Sequence, residues 1–171
     1  MEGRIEAVRS AADLRAAAAL MAAYGASLGI DLSFQGFEAE LAALPGKYAP
    51  PRGAILLARG EGGEEGGALG CVALRPMEEP GFCEMKRLFV APEGRGLGLG
   101  RSLVEAALRE AGRIGYAAVR LDTLPFMAEA IALYRRAGFV RVEPYYETPV
   151  AGTIFLGRAV SPGGAAPLSP G

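Results

Sequence analysis

Apolar and polar positions follow two periods along the chain, and these periods predict an alternation of strands and helices. Apolar residues recur at helical spacing behind Ser10 and Asp13, a Ser-x-x-Asp pattern typical of a capped helix start, and Gly29 ends this helix. A second amphipathic helix is expected from Phe34 until Pro45 stops it. The remaining patterns predict strands at residues 4–9, 54–59, 69–75, 82–90, 117–122, 139–142 and 153–158, and helices at 100–114 and 125–137. This order predicts one α/β domain over residues 1–160, built on a mixed sheet of about seven strands with about four helices.

Two segments rich in glycine lack an apolar face. The run GEGGEEGG at residues 60–67 predicts a flexible turn within the domain. The last residues, SPGGAAPLSPG at 161–171, predict a disordered tail, because they offer nothing to bury against a core.

The composition narrows the chemistry chiefly through the absence of histidine. A chain of 171 residues without histidine cannot form a Ser-His-Asp or Cys-His nucleophile system, or a zinc site built on imidazole. Acid–base catalysis is therefore left to Glu, Asp, Tyr, Cys, Lys, water or a cofactor. The two cysteines, Cys71 and Cys83, are expected to be buried strand residues, so no metal is expected.

Charge and hydropathy exclude two classes of partner. A net charge of −1 argues against a non-specific nucleic-acid binder, which carries a basic excess. The chain has no apolar run of about 18 residues long enough to span a membrane. Its first residues, MEGRIEAVRS, lack the basic-then-apolar order of a signal peptide. We therefore expect a cytoplasmic protein that binds neither nucleic acid nor a membrane.

Four glycines separate a predicted strand from an amphipathic helix, at Gly94, Gly96, Gly98 and Gly100. Such a turn exposes successive N–H groups, and the helix N-terminus adds partial positive charge, so the segment fits a phosphate or a pyrophosphate. The Gly-Lys-Ser/Thr triplet of a nucleotide-binding P-loop is absent, and the Gly-x-Gly-x-x-Gly pattern is not completed. Arg95 with Gly98 and Gly100 gives Arg-x-x-Gly-x-Gly instead. A glycine-rich turn without a ligand is the alternative interpretation.

Three segments, in this order, resemble the GNAT superfamily of acyl-CoA-dependent N-acyltransferases. CEMKRLFVAPEGRGLGLGRSLV is similar to that family's strand, pyrophosphate loop and helix, AAVRLDT to its next strand, and AIALYRRAGF to the helix that follows. The resemblance implies that the fourth and fifth strands splay apart and that the pantetheine arm of acetyl-CoA lies between them. Its amides would pair with backbone groups of Leu88, Phe89 and Val90. Its pyrophosphate would sit on the amides of Arg95, Gly96, Leu97, Gly98, Leu99, Gly100 and Arg101.

The resemblance also implies two catalytic side chains and one departure. Glu84 lies where some members place a catalytic glutamate that deprotonates the amine, directly or through a water; a salt bridge with a nearby Arg or Lys is the alternative. Tyr134, in LYRRAGF, matches the tyrosine whose hydroxyl points at the CoA sulfur; an aromatic core residue is the alternative. Met127 stands where many members carry an asparagine that contacts the cofactor, so that contact is lost or replaced.

The expected function is transfer of an acetyl group from acetyl-CoA to a primary amine by direct attack in a ternary complex. A catalytically silent acyl-CoA-binding module is the alternative, and a larger acyl group is a third option. The acceptor, a small-molecule or peptide amine, stays open. Tyr145 and Tyr146 could form a wall of its pocket or simply pack against the sheet. A homodimer also stays open, because related proteins often dimerise.

Overall fold

The computed structural model describes residues 4–29, 36–60 and 67–162 of the chain. The strands are β1 (Arg4–Ala7), β2 (Ala54–Arg59), β3 (Ala68–Pro76), β4 (Phe82–Val90), β5 (Ala118–Thr123), β6 (Val140–Arg141) and β7 (Ile154–Ala159). The α-helices are α1 (Ala11–Leu28), α2 (Phe37–Ala42), α3 (Leu99–Ile114) and α4 (Ala128–Arg136). This order confirms the predicted sequence of elements. Phe34, residues 61–66 of the predicted turn and residues 163–171 of the predicted tail lie outside the described residues.

All seven described strands form one mixed sheet with the order β1-β2-β3-β4-β5-β7-β6. The first four strands are consecutive antiparallel neighbours. β4 and β5 are parallel, and α3 connects them, because parallel neighbours need a crossover. The sheet therefore has its parallel pair, β4 and β5, near the middle. β4 precedes the glycine-rich segment in the chain, and β5 follows α3.

The helix ends follow the local sequence, with one shift. The Ser10 hydroxyl accepts the Asp13 N–H at 3.0 Å, and the Asp13 carboxylate accepts the Ser10 N–H at 3.1 Å, so the predicted capping box starts α1. Gly29 ends that helix in the left-handed conformation. α4 begins at Ala128, later than predicted, because a turn closed by the Met127 N–H and the Leu124 carbonyl at 3.1 Å precedes it.

Each face of the sheet is covered by a different helix, and this explains the uninterrupted apolar run of β2. Leu56 and Ala58 pack in the cluster that contains α3, whereas Ile55 and Leu57 pack in the cluster that contains α1. A strand buried on both faces needs apolar residues at every position rather than at alternate ones. The two helices thus fix the sheet from both sides and leave its central parallel pair to form the site.

Candidate active site

The pairing between β4 and β5 stops early and opens a gap in the sheet. The two strands pair only at Phe82–Ala118, Cys83–Val119 and Glu84–Arg120. Residues 85–90 of β4 and 121–123 of β5 continue as strand without a partner across the gap. The expected splay of these strands is confirmed. Unpaired strand edges leave N–H and C=O groups that an extended ligand can satisfy.

A β-bulge lies on the β4 side of this gap. Cys71 of β3 lies opposite Phe89, but Ala73 lies opposite Lys86, so β4 carries one extra residue there. Arg87 adopts a positive φ of 64°, a conformation unfavourable for a residue with a side chain. A bulge bends its strand and redirects the side chains around it, and bulges are common beside functional sites.

Contacts from two neighbouring elements hold the bulge in place. The Arg87 guanidinium donates to the two carboxylate oxygens of Glu40 on α2, at 2.8 and 3.2 Å. The Cys71 thiol donates to the Arg87 carbonyl at 3.3 Å. These contacts offset the backbone strain and fix the course of β4 along the gap.

The gap contains a cleft, which we call the interstrand cleft. Its walls come from α1, β4, β5 and α4 and include Lys86, Leu88, Asp122, Thr123, Met127 and Tyr134. Tyr134 is only 7% exposed, and its ring packs edge-on against Phe139 with 5.8 Å between centroids. Burial raises the pKa of its phenol above the ordinary value, so the hydroxyl stays protonated at neutral pH.

The glycine-rich turn leads from the end of β4 into α3. Gly96 and Gly98 have φ values of 83° and 73°, so both need the conformational freedom of glycine. Gly94 is required for space, since a Cβ there would lie 3.0 Å from side-chain atoms of Leu69 and Leu99. The first N–H groups of α3 have no partner within the helix. Within the described ranges, no backbone hydrogen bond satisfies the N–H groups of residues 96–101.

Charged side chains cluster beyond the last paired position of β4 and β5. Glu84, 4% exposed, accepts from Arg75 at 2.8 and 2.9 Å and from the Tyr145 hydroxyl at 2.7 Å. The Lys86 ammonium lies 3.9 Å from Glu84 Oε2 and 3.6 Å from Asp122 Oδ1. The Tyr146 hydroxyl donates to Asp122 Oδ2. Glu84 thus forms a salt bridge with Arg75, which was the alternative to a catalytic role. It also lies beside the gap, at the last paired position of β4 and β5.

Another cavity, of about 600 Å³, opens next to this cluster. We call it the second cavity. Its inner wall contains Glu84, Lys86, Tyr145 and Tyr146. Its outer wall carries exposed carboxylates at Glu78, Glu79 and Glu147, together with the exposed Lys47. Arg120, also in the lining, pairs with Glu79 at 2.9 Å. The two tyrosines therefore form a wall of a cavity as well as packing on Phe155.

The two cysteines do not contribute a reactive nucleophile to the site. Cys71 and Cys83 are buried free thiols, as expected from the sequence. Burial raises the pKa of each thiol to about 12, so almost none of the thiolate needed for attack exists at neutral pH.

Comparison with known proteins assigns the family. The model of the acetyltransferase (GNAT) family matches residues 22–139. The chain belongs to this family. It is therefore an acyltransferase, and members of the GNAT family take their acyl group from acyl-CoA and pass it to amine acceptors.

Relatives of this GNAT acetyltransferase cover most of its length. It is 43% identical to an uncharacterized N-acetyltransferase of Schizosaccharomyces pombe over 89% of the chain and 91% of that protein. A crystal structure of a proposed acyl-CoA N-acyltransferase from Klebsiella pneumoniae is similar with a TM-score of 0.68 and 29% identity, covering 92% of this chain and 97% of the other. The ribosomal-protein-S18-alanine N-acetyltransferase of Escherichia coli shares the fold, with a TM-score of 0.65 at 20% identity over 93% of this chain and 94% of the other.

Sequence reasoning about this acetyltransferase missed the charged neighbours of Glu84. Lys86, Asp122 and Arg75 were not singled out, yet all three lie within the charged cluster. One signal was available, because residues two apart on a strand share a face, which places Lys86 beside Glu84. Among the described residues no helix could cross a membrane and no group of His, Cys, Asp or Glu could hold a metal ion.

Proposed function

We propose that this GNAT protein transfers the acetyl group of acetyl-CoA to a primary amine by direct attack in a ternary complex. The observation that supports this most strongly is the interstrand cleft, which extends along unpaired strand edges and contains the Tyr134 side chain. The second cavity meets the charged cluster from the other side and offers room for the acceptor. Two separate cavities that meet at one point suit a reaction in which donor and acceptor are bound together.

Acetyl-CoA would be held by backbone groups more than by side chains. Its pantetheine amides would pair with the free edge of β4 at Leu88, Phe89 and Val90. Its pyrophosphate would accept from the N–H groups between Arg95 and Arg101, where α3 contributes its positive N-terminal end. Met127 lines the cleft at the start of α4, so the contact made elsewhere by asparagine would be replaced here by backbone groups near Thr123.

Tyr134 is the proposed acid for the departing thiolate. A thiolate with a pKa of about 8.5 takes a proton from a phenol held in contact with it as the C–S bond breaks. We expect Tyr134→Phe to lower kcat about 100-fold with little change in acetyl-CoA affinity. Tyr116→Phe is the matched control, since it removes a buried hydroxyl that binds the Arg52 carbonyl at 2.6 Å, away from the cleft. A fall in acetyl-CoA binding without a fall in kcat would argue against the acid role.

Glu84 is the proposed base for the acceptor ammonium, acting through a water in the second cavity. A carboxylate has about four lone-pair positions, and the bonds from Arg75 and Tyr145 leave one free on Oε2. Glu84→Gln should lower kcat of acetyl transfer, because an amide cannot take a proton from the water. If kcat is unchanged in the variant, Glu84 serves only to hold Arg75.

The lining of the second cavity carries four carboxylates and four cations, so its net charge does not set the acceptor class. Its outer carboxylates, Glu78, Glu79 and Glu147, offer partners for an ammonium. The decisive experiment measures thiol release from acetyl-CoA with a panel of small amines and peptides, and mass spectrometry of the acceptor. Equal amounts of thiol and acetylated amine are expected. Tight CoA binding with no thiol release on any amine would favour a silent acyl-CoA-binding module instead.

A further inference from the structure

We propose that Lys86 donates a hydrogen bond to the thioester carbonyl oxygen of the bound donor and stabilises the negative charge that develops there. This inference rests on the proposed function, because it assumes that an acyl thioester occupies the interstrand cleft. It gives a catalytic role to a residue that neither the sequence motifs nor the family match singles out.

Lys86 lies where the interstrand cleft and the second cavity meet. Among the described residues that line the interstrand cleft and the second cavity, Lys86 alone belongs to both. It lies two residues beyond Glu84, the last position at which β4 pairs with β5. If donor and acceptor occupy the two cavities, the bond between them forms at this junction, and the Lys86 ammonium lies beside it.

The Lys86 ammonium also has hydrogen-bond donors that the protein does not use. Lys86 is 7% exposed, and its nearest anionic oxygens lie at 3.6 Å on Asp122 and 3.9 Å on Glu84. Both distances are too long for a hydrogen bond, and Nζ makes none elsewhere in the part of the chain that the structure describes. An ammonium carries three donors. Among the described residues Tyr48 Oη is the one fully buried side-chain polar atom without a partner, so Lys86 Nζ reaches the two cavities and its donors are available to a bound ligand.

The reaction identifies which oxygen Lys86 would bind. Glu84 accepts from Arg75 and Asp122 accepts from Tyr146, so both carboxylates have other partners and the Lys86 donors are left for a further oxygen. A carbonyl oxygen is neutral in the bound thioester and becomes negative only as the amine attacks. A donor fixed in a site shielded from water stabilises that developing charge more than it stabilises the ground state, which is what accelerates a reaction.

Two carboxylates, at 3.6 and 3.9 Å from Nζ, favour the charged form of Lys86. Burial is the largest influence and lowers the pKa of Lys86, Arg87 and Arg75 lower it further, and Asp122 and Glu84 act in the opposite direction. The charged and titratable groups around it come from α1, α2, β3, β4, β5, α4 and the loop before β7: Tyr24, Glu40, Arg75, Glu84, Arg87, Asp122, Tyr134, Tyr145 and Tyr146. The proposed role needs the ammonium form, which the two carboxylates favour.

The electrons and protons balance with Lys86 unchanged. The amine lone pair forms the C–N bond while the carbonyl π pair moves onto oxygen, which accepts the Lys86 N–H. That pair then returns to re-form the carbonyl, and the C–S bond breaks. The attacking amine has already given one proton through water to Glu84, which passes it to solvent. The thiolate takes its proton from Tyr134, and the second proton of the amine nitrogen returns through water to the Tyr134 phenolate. Lys86 keeps all three of its protons throughout.

Kinetics provide the first test. We expect Lys86→Met to lower kcat about 100- to 1000-fold, with the KM for acetyl-CoA changed less than threefold. Lys86→Arg keeps the charge and should recover part of kcat. The matched control is Arg109→Met, which removes an exposed cation from α3 that lines neither cavity and should leave kcat unchanged. Unaltered kcat in a folded Lys86→Met protein would overturn the inference.

A spectroscopic test covers the case in which Lys86→Met does not fold. The chain has only two lysines, so protein labelled with ¹³C,¹⁵N-lysine gives two side-chain signals, and Lys47→Arg assigns them. The Lys86 signal should shift on binding acetyldethia-CoA, in which a methylene replaces the thioester sulfur and the carbonyl is kept. CoA, which lacks that carbonyl, should leave the signal nearly in place. An equal shift with both ligands contradicts the inference.

The proposed function and the proposed role of Lys86 can fail separately. If the wild-type protein releases no thiol with any amine, the proposed function fails, whatever the lysine signals do. If the wild type is active but the Lys86 signal does not distinguish the two ligands, only the role of Lys86 fails.

Discussion

One substitution in the glycine-rich turn, compared with one control, can separate an effect on stability from an effect on CoA binding. Gly98 precedes the first residue of α3 in the left-handed conformation, at φ 73° and ψ 16°, and no atom lies within 4 Å of the position its Cβ would take. Gly98→Ala therefore introduces backbone strain without a steric clash. Gly115, at the other end of the same helix, is also left-handed and also has open space around it.

The expected cost in stability is small. A left-handed conformation costs an L-residue about 1–2 kcal/mol, and alanine recovers about 0.4–1 kcal/mol by restricting the unfolded chain. A net loss of about 1 kcal/mol lowers the melting temperature of a domain of this size by about 2–4 °C. Gly115→Ala should cost at least as much, because its φ of 115° lies further from the left-handed region that alanine tolerates.

The expected effect on binding is larger and falls on only one of the two variants. Relaxation of residue 98 toward negative φ turns the N–H groups of Leu99, Gly100 and Arg101 away from the proposed pyrophosphate site. Loss of one hydrogen bond to a charged group costs about 1.5–3 kcal/mol, which weakens CoA binding at least about tenfold. Gly115 lies about 25 Å from Gly98 along a helix with a rise of 1.5 Å per residue, so the Gly115→Ala protein should bind CoA normally.

Calorimetric titration with CoA and thermal unfolding of both variants give the two quantities. As a further control, S-acetylpantetheine lacks the pyrophosphate, so Gly98→Ala and wild type should use it as a donor equally well. Equal weakening of CoA binding in both variants would refute the reasoning, because the loss would then follow general destabilisation and not the geometry of the turn.

Three further expectations concern stability and thiol reactivity. Ser10→Ala should cost about 1 kcal/mol, measured by denaturant unfolding, because it removes the hydroxyl that accepts the Asp13 N–H; an unchanged midpoint would contradict the capping role. Burial raises the pKa of five tyrosines, so stability should be complete below about pH 10 and fall as the pH rises above it, by up to about 1.4 kcal/mol per pH unit for each buried phenol; the phenolate absorbance of these five should appear only on unfolding. These are Tyr24, Tyr48, Tyr134, Tyr145 and Tyr146. Cys71 and Cys83 should resist a thiol reagent until the protein unfolds, and rapid labelling of the native state would show that their burial is incomplete.

Local sequence determined the elements and the turn of this protein. The capping box at Ser10 and the end of α1 at Gly29 depend on contacts within a few residues, so their patterns were sufficient to predict them. The glycine-rich turn before α3 was predictable for the same reason, since Gly96 and Gly98 serve local backbone conformation. The sequence of strands and helices follows from hydrophobic periodicity, which each element carries in its own residues.

Tertiary structure alone decided how the charged groups meet. Glu84 and Lys86 share a strand, but Asp122 reaches them from β5 and the tyrosines from the loop before β7. Their distances depend on where the pairing of β4 with β5 stops and on the extra residue at Arg87. Neither the end of this pairing nor the extra residue can be recognised from neighbouring residues in the sequence. Strand register and bulges depend on how whole strands pack between α1 and α3. The sequence by itself therefore determined which groups are present, whereas packing decided that Lys86 lies at the junction of two cavities.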